Sequence, residues 1–158
     1  MKSSYCILSI ATLVLVVNTS GYAAALKAED EISYRQSAMM FMRWNMGKIK
    51  QQAIENPQHY DKAQVIAAAN AINAVAESGL GALFSEKSRT GKGWKKTRVK
   101  AEYFNQTQEV RERAQEFRDK AAALVQASQS DDVPLVGKQF KQLFEACKSC
   151  HKKFRAKE

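Results

Sequence analysis

Two cysteines and a histidine lie close together near the C-terminal end of the chain, in the order Cys147-Lys148-Ser149-Cys150-His151. This C-x-x-C-H spacing is typical of the attachment site of a c-type haem, where each thiol adds to a porphyrin vinyl group and the imidazole binds the iron. On a helix, residues i, i+3 and i+4 share one face, so Cys147, Cys150 and His151 should point together at a flat cofactor. The sequence therefore predicts covalent haem c with its iron.

Other functions of the same residues have weaker support. A thioredoxin-like redox pair needs a βαβ setting, and the sequence shows no strand pattern. A zinc site needs about four ligands, and after residue 25 the only other histidine is His59, in a distant Asn-Pro-Gln-His turn. A haem-free helical interaction or metal-stress protein is a further hypothesis. No nucleophile–base pair or carboxylate pair stands out, so the sequence does not indicate an enzyme.

The N-terminus predicts export. Lys2 precedes an apolar run over residues 6–17 that is short for a membrane span, and the alanines at 23–25 offer an A-x-A cleavage site. Residues 1–25 are therefore predicted to be a secretory signal peptide, with an uncleaved membrane anchor as the alternative. Residues 26–158 are predicted to form one domain. Because bacteria attach c-type haem outside the cytoplasmic membrane, we expect a periplasmic protein without stable membrane insertion after cleavage.

The chain after residue 25 carries 24 basic and 16 acidic residues, a net charge of +8. Such a balance fits nucleic acid, an anionic membrane or an acidic protein as partner. No nucleic-acid motif accompanies it, so nucleic acid is not expected. Five basic residues form a collar around the attachment site: Lys148, Lys152, Lys153, Arg155 and Lys157. This collar predicts an acidic redox partner, with a merely solvated surface as the alternative.

Hydrophobic periodicity predicts four amphipathic helices, which begin near residues 30, 61, 97 and 133. Asp61 is a candidate N-cap of the second helix, and residues 130–132 are candidate caps of the fourth. Bundles of this kind build cofactor sites from facing side chains in their core, so we expect the haem there. Arg35 lies on the inward stripe of the first helix and is the best partner for the anionic haem propionates. Alternatively, its side chain reaches water at the helix end.

The iron face opposite the histidine decides between two functions. A vacant or aliphatic sixth position gives five-coordinate iron that binds NO or CO, whereas a methionine thioether gives a six-coordinate centre suited to electron transfer. A methionine stripe more often fills a core than binds a metal. The first helix supplies four candidates, which periodicity alone cannot rank: Met39, Met40, Met42 and Met46.

Together these residues resemble the class II c-type cytochromes, a family that includes cytochrome c prime. The C-x-x-C-H lies at the C-terminal end, residues 34–39 are similar to the first-helix signature, and residues 151–155 are similar to the usual ending. The resemblance implies an antiparallel four-helix bundle, often a homodimer through its first two helices. It also implies His151 as the proximal ligand, Arg35 near a propionate and Arg155 beside the histidine.

Met39 occupies the position that faces the iron in this family. Cytochrome c prime usually has a non-ligating aliphatic residue there, whereas the low-spin branch has a methionine ligand. Residues 45–47, Asn-Met-Gly, also resemble that c-556-like branch. The resemblance therefore predicts a mono-haem electron carrier with His151 and Met39 as axial ligands. The alternative is a five-coordinate cytochrome c prime that binds NO or CO.

Overall fold

The protein is an antiparallel bundle of four long helices, which confirms the predicted all-α fold. The computed structural model describes residues 26–157, so the predicted signal peptide lies outside the described residues. A short helical turn, α3, precedes the third long helix. The helices are α1 Ala28–Lys50, α2 Lys62–Glu77, α3 Glu102–Asn105, α4 Thr107–Gln129 and α5 Val133–Phe154.

Side-chain caps begin two of the helices. The carboxylate of Asp61 accepts a hydrogen bond from the backbone N–H of Gln64 at 3.0 Å and starts α2. The carboxylate of Asp132 accepts one from the N–H of Leu135 at 2.9 Å and starts α5. Each bond satisfies a backbone donor that has no partner within its helix. Both capping predictions are confirmed.

The hydrophobic core runs along the bundle axis. Helix α4 packs against both α2 and α5, and α1 packs mainly against α2. Small buried alanines in α2, at Ala68, Ala69 and Ala76, let neighbouring helix backbones approach closely. Burying each large aliphatic side chain in the core contributes about 1.5–3 kcal/mol. The largest fully buried aliphatic side chains are Ile32, Ile49, Val65, Ile72, Leu124, Val136 and Leu143.

The predicted start of the third long helix near residue 97 is wrong, because α4 begins at Thr107. The preceding segment is extended and pairs with the C-terminal segment. Val99 and Arg155 form an isolated antiparallel bridge, and the N–H of Lys100 donates to the carbonyl of Phe154 at 2.9 Å. These contacts join residues more than 50 positions apart and override the local helical pattern. They also anchor the C-terminal end of α5.

Candidate haem site

The last two turns of α5 hold the three motif residues on one face. Cys147, Cys150 and His151 are all half-buried, and both thiols are free. The same face continues from buried Leu143 to buried Phe154, so it points towards the bundle interior. Cys147 packs against the main hydrophobic core. The predicted grouping of thiols and imidazole on an inward helical face is therefore present in the structure.

Burial sets the ionisation of these groups. It raises the pKa of the Cys147 thiol to about 11, with a further contribution from Cys150, and it also raises the pKa of Cys150. Burial and then the positive charges of Arg155 and Arg98 lower the pKa of His151. The thiols are therefore protonated at neutral pH. The imidazole is neutral there, which is the form that binds a metal ion.

The donor set fits a porphyrin better than a bare metal ion. Across residues 26–157, no group of three or more histidine, cysteine or acidic side chains is arranged to hold a metal. The site instead holds two thiols one helical turn apart and an adjacent neutral imidazole. These groups can form two thioether links to a porphyrin and supply one nitrogen ligand to its iron. A largely apolar face around them suits a flat hydrophobic ring.

An aromatic cluster lies beside the motif. Tyr103 of α3 stacks on Phe84 with ring centroids 4.6 Å apart and meets Phe154 edge-on at 5.7 Å. Burial and then the proximity of Cys150 raise the pKa of Tyr103 to about 12, so its hydroxyl stays neutral. The third helix predicted from residue 97 included Tyr103 and did not predict this contact. The one sequence feature that indicates an aromatic cluster here is the adjacent pair Tyr103-Phe104, which follows the lysine- and glycine-containing stretch 91–97.

Arg35 is buried, with 3% of its surface exposed, and is bonded to the segment that follows α2. Its guanidinium donates to the carbonyls of Leu83 and Ser88, both at 2.8 Å, and to the hydroxyls of Ser88 and Thr97, both at 2.7 Å. It also lies over the ring of Phe84, 4.7 Å from its centroid. The alternative of an arginine that reaches water is therefore wrong.

These contacts bear on the predicted propionate contact. Four hydrogen bonds already occupy the two terminal nitrogens of Arg35, and a guanidinium has five N–H donors in all. Phe84 joins Arg35 to the aromatic cluster beside Cys150, so the arginine and the motif share one region of the bundle. A propionate contact stays a prediction.

A polar network joins α4 to the C-x-x-C-H motif on α5. Arg113 donates to the hydroxyl of Ser149, inside the C-x-x-C-H, at 3.0 Å. The same guanidinium pairs with Glu109 at 2.8 Å, and Lys153 of α5 bonds to the other oxygen of that carboxylate. The sequence indicated no role for Glu109 and Arg113, but these residues tie α4 to the last turns of α5.

The methionines of α1 fill space beside the core. Met39 and Met46 are half-buried against the same hydrophobic cluster as Cys147, whereas Met40 is 62% exposed. Asn45, which belongs to the Asn-Met-Gly stretch that resembles the low-spin branch, is buried and donates to the carbonyl of Phe41 at 3.0 Å. Packing and a bond within the helix therefore account for the positions of these residues.

Comparisons with known proteins agree on one family. A family model described as cytochrome c′ matches residues 30–155. The cytochrome c′ of Allochromatium vinosum is 42% identical over 145 residues, which cover 92% of each chain. The cytochrome c′ of Rhodocyclus tenuis is 42% identical over 132 residues, covering 84% of this chain and 98% of the relative.

Two solved structures extend the agreement to the fold. One is described as a cytochrome c′ with an unusual ligand-controlled dimer dissociation; it has 42% identity and a TM-score of 0.80, covering 85% of this chain and 100% of its own. The other is the cytochrome c′ of Thermochromatium tepidum, with 39% identity, a TM-score of 0.79 and coverage of 85% and 100%.

These findings confirm haem c with its iron as the cofactor and correct two predictions. The assignment to the methionine-ligated, c-556-like branch is wrong, because the matching model and relatives are cytochromes c′. The main functional prediction, an electron carrier with Met39 as sixth ligand, is wrong for the same reason. The physical cause of the error is that a methionine gives the same hydrophobic pattern whether it fills a core or binds iron. The chain belongs to the cytochrome c′ family.

Proposed function

We propose that this protein binds NO or CO at a five-coordinate haem iron. In this proposal Cys147 and Cys150 would hold the haem through thioether links, and His151 would supply the nitrogen ligand of its iron. The observation that carries it is the inward placement of two protonated thiols and a neutral imidazole on one face of α5. Membership of the cytochrome c′ family supports the proposal, because the resemblance to cytochrome c prime implies a five-coordinate iron that binds NO or CO.

The chain's own residues select the ligand. When bound, the haem supplies an iron that takes up a small diatomic gas. The core-facing side of α1 near the middle of the helix presents Met39, Met42 and Met46, all at least half-buried. Entry of a charged ligand into such apolar surroundings carries a large desolvation cost, whereas a neutral diatomic molecule pays almost none. These methionines would therefore form an apolar barrier that favours neutral NO or CO over anions.

Absorption spectra of the purified protein test the iron's coordination. We expect high-spin spectra in the ferric and ferrous forms, rapid binding of NO to the ferrous form, and no change of spin state in Met39→Leu. A low-spin spectrum that Met39→Leu converts to high-spin would contradict the proposal. Slow NO binding limited by loss of an internal ligand would contradict it as well.

Attachment is tested separately, by extraction of haem into acidified acetone after expression with the attachment machinery. We expect the haem to stay with the wild-type polypeptide and with Ser149→Ala, the control inside the motif. The double variant Cys147→Ser/Cys150→Ser should lose all colour to the solvent. Retention of haem by the double variant would reject these cysteines as the attachment points without affecting the test of gas binding.

We further propose that the chain forms a homodimer through α1. The surface of this helix opposite the core carries large apolar side chains: Met40 is 62% exposed, Trp44 is 59% exposed and Phe41 is 46% exposed. Phe41 and Trp44 lie together, with ring centroids 5.8 Å apart. Sedimentation velocity should show a dimer that Trp44→Ser weakens, and addition of NO tests whether ligand binding controls the dimer. A monomer at all concentrations would refute this.

We also propose a periplasmic location, with residues 1–25 removed as a signal peptide and residues 26–158 as the mature domain. The supporting observations are the apolar N-terminal run and the haem attachment motif. No helix within residues 26–157 is long and apolar enough to cross a bilayer. N-terminal sequencing of protein released by osmotic shock should start near residue 26; an intact N-terminus would contradict cleavage. An acidic protein partner for the basic collar stays a prediction.

A further inference from the structure

A lysine-rich hairpin between α2 and α3 carries a tryptophan at its tip. Lys92 and Lys96 pair in an antiparallel bridge, and Trp94 and Lys95 lie between them. Trp94 is 66% exposed, and the three lysines are exposed as well. No acidic residue occurs anywhere in residues 87–101. The tip therefore combines a large apolar ring with concentrated positive charge, a feature that gas binding does not use.

The hairpin is held firmly on α1. The side-chain amide of Gln36 donates to the carbonyl of Lys95 at 2.8 Å and accepts from its N–H at 3.1 Å. The indole N–H of Trp94 donates to the hydroxyl of Ser37 at 2.7 Å. This bond satisfies the ring's polar atom on the protein side, so the exposed part of the ring is apolar. Because the shape is already fixed, binding through this tip would require little further ordering.

Backbone pairing brings a second basic segment to the same surface. The bridge between Val99 and Arg155 places the C-terminal segment beside the strand that leaves the hairpin. Within the part of the chain that the structure describes, none of the lysines at the hairpin tip forms an ion pair, and neither do three exposed cations of the second segment. These three are Lys152, Arg155 and Lys157. The charges are therefore free to meet an external anion.

The composition of this surface favours a lipid headgroup layer over a protein or a second copy. Protein interfaces are depleted in lysine, whereas lysines near a bilayer gain directly from the potential of anionic lipids. Tryptophan rings with one polar and one apolar edge concentrate where a membrane meets water. Self-association through the hairpin tip itself would bring the same lysines into contact and is opposed by their repulsion, whereas the homodimer proposed above uses Met40, Phe41 and Trp44 of α1. We propose that the hairpin of Lys92, Trp94, Lys95 and Lys96 docks peripherally on an anionic phospholipid bilayer.

Co-sedimentation with vesicles tests this surface on the haem-loaded mature protein. We expect binding at low salt to vesicles that contain phosphatidylglycerol, loss of binding as salt rises, and no binding to phosphatidylcholine alone. Each lysine near the membrane contributes about fivefold to affinity, so Lys95→Gln/Lys96→Gln should weaken binding roughly 25-fold. Only the backbone of Lys95 bonds to Gln36, so this variant should keep the fold, which the haem spectrum verifies.

The matched control removes the same charge from the other end of α5. Lys138 and Lys141 are exposed near the start of that helix, far along the bundle from the C-terminal segment. Lys138→Gln/Lys141→Gln should weaken vesicle binding by less than about threefold if location matters. Trp94→Ser should weaken it about tenfold, since the exposed apolar part of the ring no longer enters the interface. Equal losses in the two lysine pairs, or no effect of Trp94→Ser, would overturn the proposal.

Two further outcomes point to other partners and also overturn it. Binding to polyglutamate with no binding to the anionic vesicles would assign the surface to an acidic protein. A change in sedimentation coefficient on Trp94→Ser, with vesicle binding unaltered, would place the tryptophan in a contact between two copies of the chain. Neither outcome depends on whether the haem binds NO, so this inference and the proposed function stand or fall separately.

Discussion

Replacement of Arg35 by methionine tests how far one buried side chain holds α1 to the segment after α2. The guanidinium is the donor for two carbonyls and two hydroxyls, at distances of 2.7–2.8 Å. Methionine has a similar reach but no donor, so the variant keeps most of the volume and loses every bond. The carboxylate that interacts electrostatically with Arg35 is Glu31, which itself pairs with Lys87. The loss should therefore come from unsatisfied acceptors rather than from a broken ion pair.

The magnitude follows from which acceptors water can reach after the change. Ser88 is fully buried, whereas Leu83 and Thr97 are partly exposed and can bond to solvent. The Ser88 hydroxyl keeps one bond, because it still donates to the carbonyl of Ser85 at 2.9 Å. One buried carbonyl without a donor costs about 1–3 kcal/mol, and the lost charge-assisted bonds add to it. The gain from no longer burying a charge offsets part of this sum, so we expect a net loss of about 3 kcal/mol.

Unfolding in guanidinium chloride measures this loss on the haem-loaded protein. Arg43→Met is the matched control, because Arg43 is exposed on the same helix and its replacement should change stability by less than about 0.5 kcal/mol. Arg35→Lys keeps the charge but not the planar fork, so it should recover less than half of the loss. The midpoint of thermal unfolding should fall by about 10 °C in Arg35→Met. A loss below about 1 kcal/mol, or one equal to that of the control, would refute the reasoning.

Three further predictions concern the same half of the molecule. Burial alone would raise the pKa of Glu31, but hydrogen bonds from Ser85 and Lys87 outweigh it and lower the pKa to about 2. The charged carboxylate therefore contributes fully to the free energy of unfolding above about pH 4.5, and this contribution is lost as the pH falls towards 2. The contribution is at most about 3 kcal/mol, and nearer 1–2 kcal/mol because Lys87 is half-exposed to water. Glu31→Gln should remove this part of the acid sensitivity of unfolding. A Cβ at Gly93 would lie 2.6 Å from the backbone nitrogen of Ser33, so Gly93→Ala should lower the free energy of urea unfolding by about 1–3 kcal/mol. Gly47→Ala is the control, because a Cβ there meets nothing within 4 Å, and it should raise the free energy of unfolding by about 0.5–1 kcal/mol. Arg113→Leu should cost about 1 kcal/mol and speed hydrogen exchange in the last turns of α5, because Ser149 loses its donor from α4; unchanged exchange there would show that the brace is not needed.

The features that the sequence predicted well depend on neighbours in the chain. A C-x-x-C-H motif is complete within five residues, and a helix fixes the direction of all its side chains at once. The caps at Asp61 and Asp132 likewise need only an acceptor three residues before a backbone donor. The apolar stripes of the four long helices repeat over many turns, so one atypical residue does not hide the helical period. The fold class and the shared inward face of Cys147, Cys150 and His151 could therefore be predicted directly from the sequence.

The segment between α2 and α4 could not be predicted, because its shape depends on distant partners. Gln36 and Lys95 are 59 positions apart, and Arg35 and Thr97 are 62 positions apart. The local composition of this lysine-rich, glycine-containing stretch does not indicate that it hydrogen-bonds to polar side chains of α1. The helical pattern after residue 97 was misleading for the same reason, since pairing with the C-terminal segment satisfies those backbone groups instead.

Met39 and Arg35 show where inward-facing patterns stop being informative. Periodicity placed both on the core side of α1, and both are at least half-buried there. Periodicity does not state what a buried side chain contacts. For Met39 a thioether has the same apolar signal in a core as on a metal, so the ligand assignment had no physical discriminator. For Arg35 the buried charge required partners, and the structure supplies two neutral carbonyls and two hydroxyls in place of the anion that sequence reasoning assumed. A propionate that reaches this arginine must therefore use the fifth N–H or displace a bond to the segment after α2, which would couple the position of that segment to the cofactor.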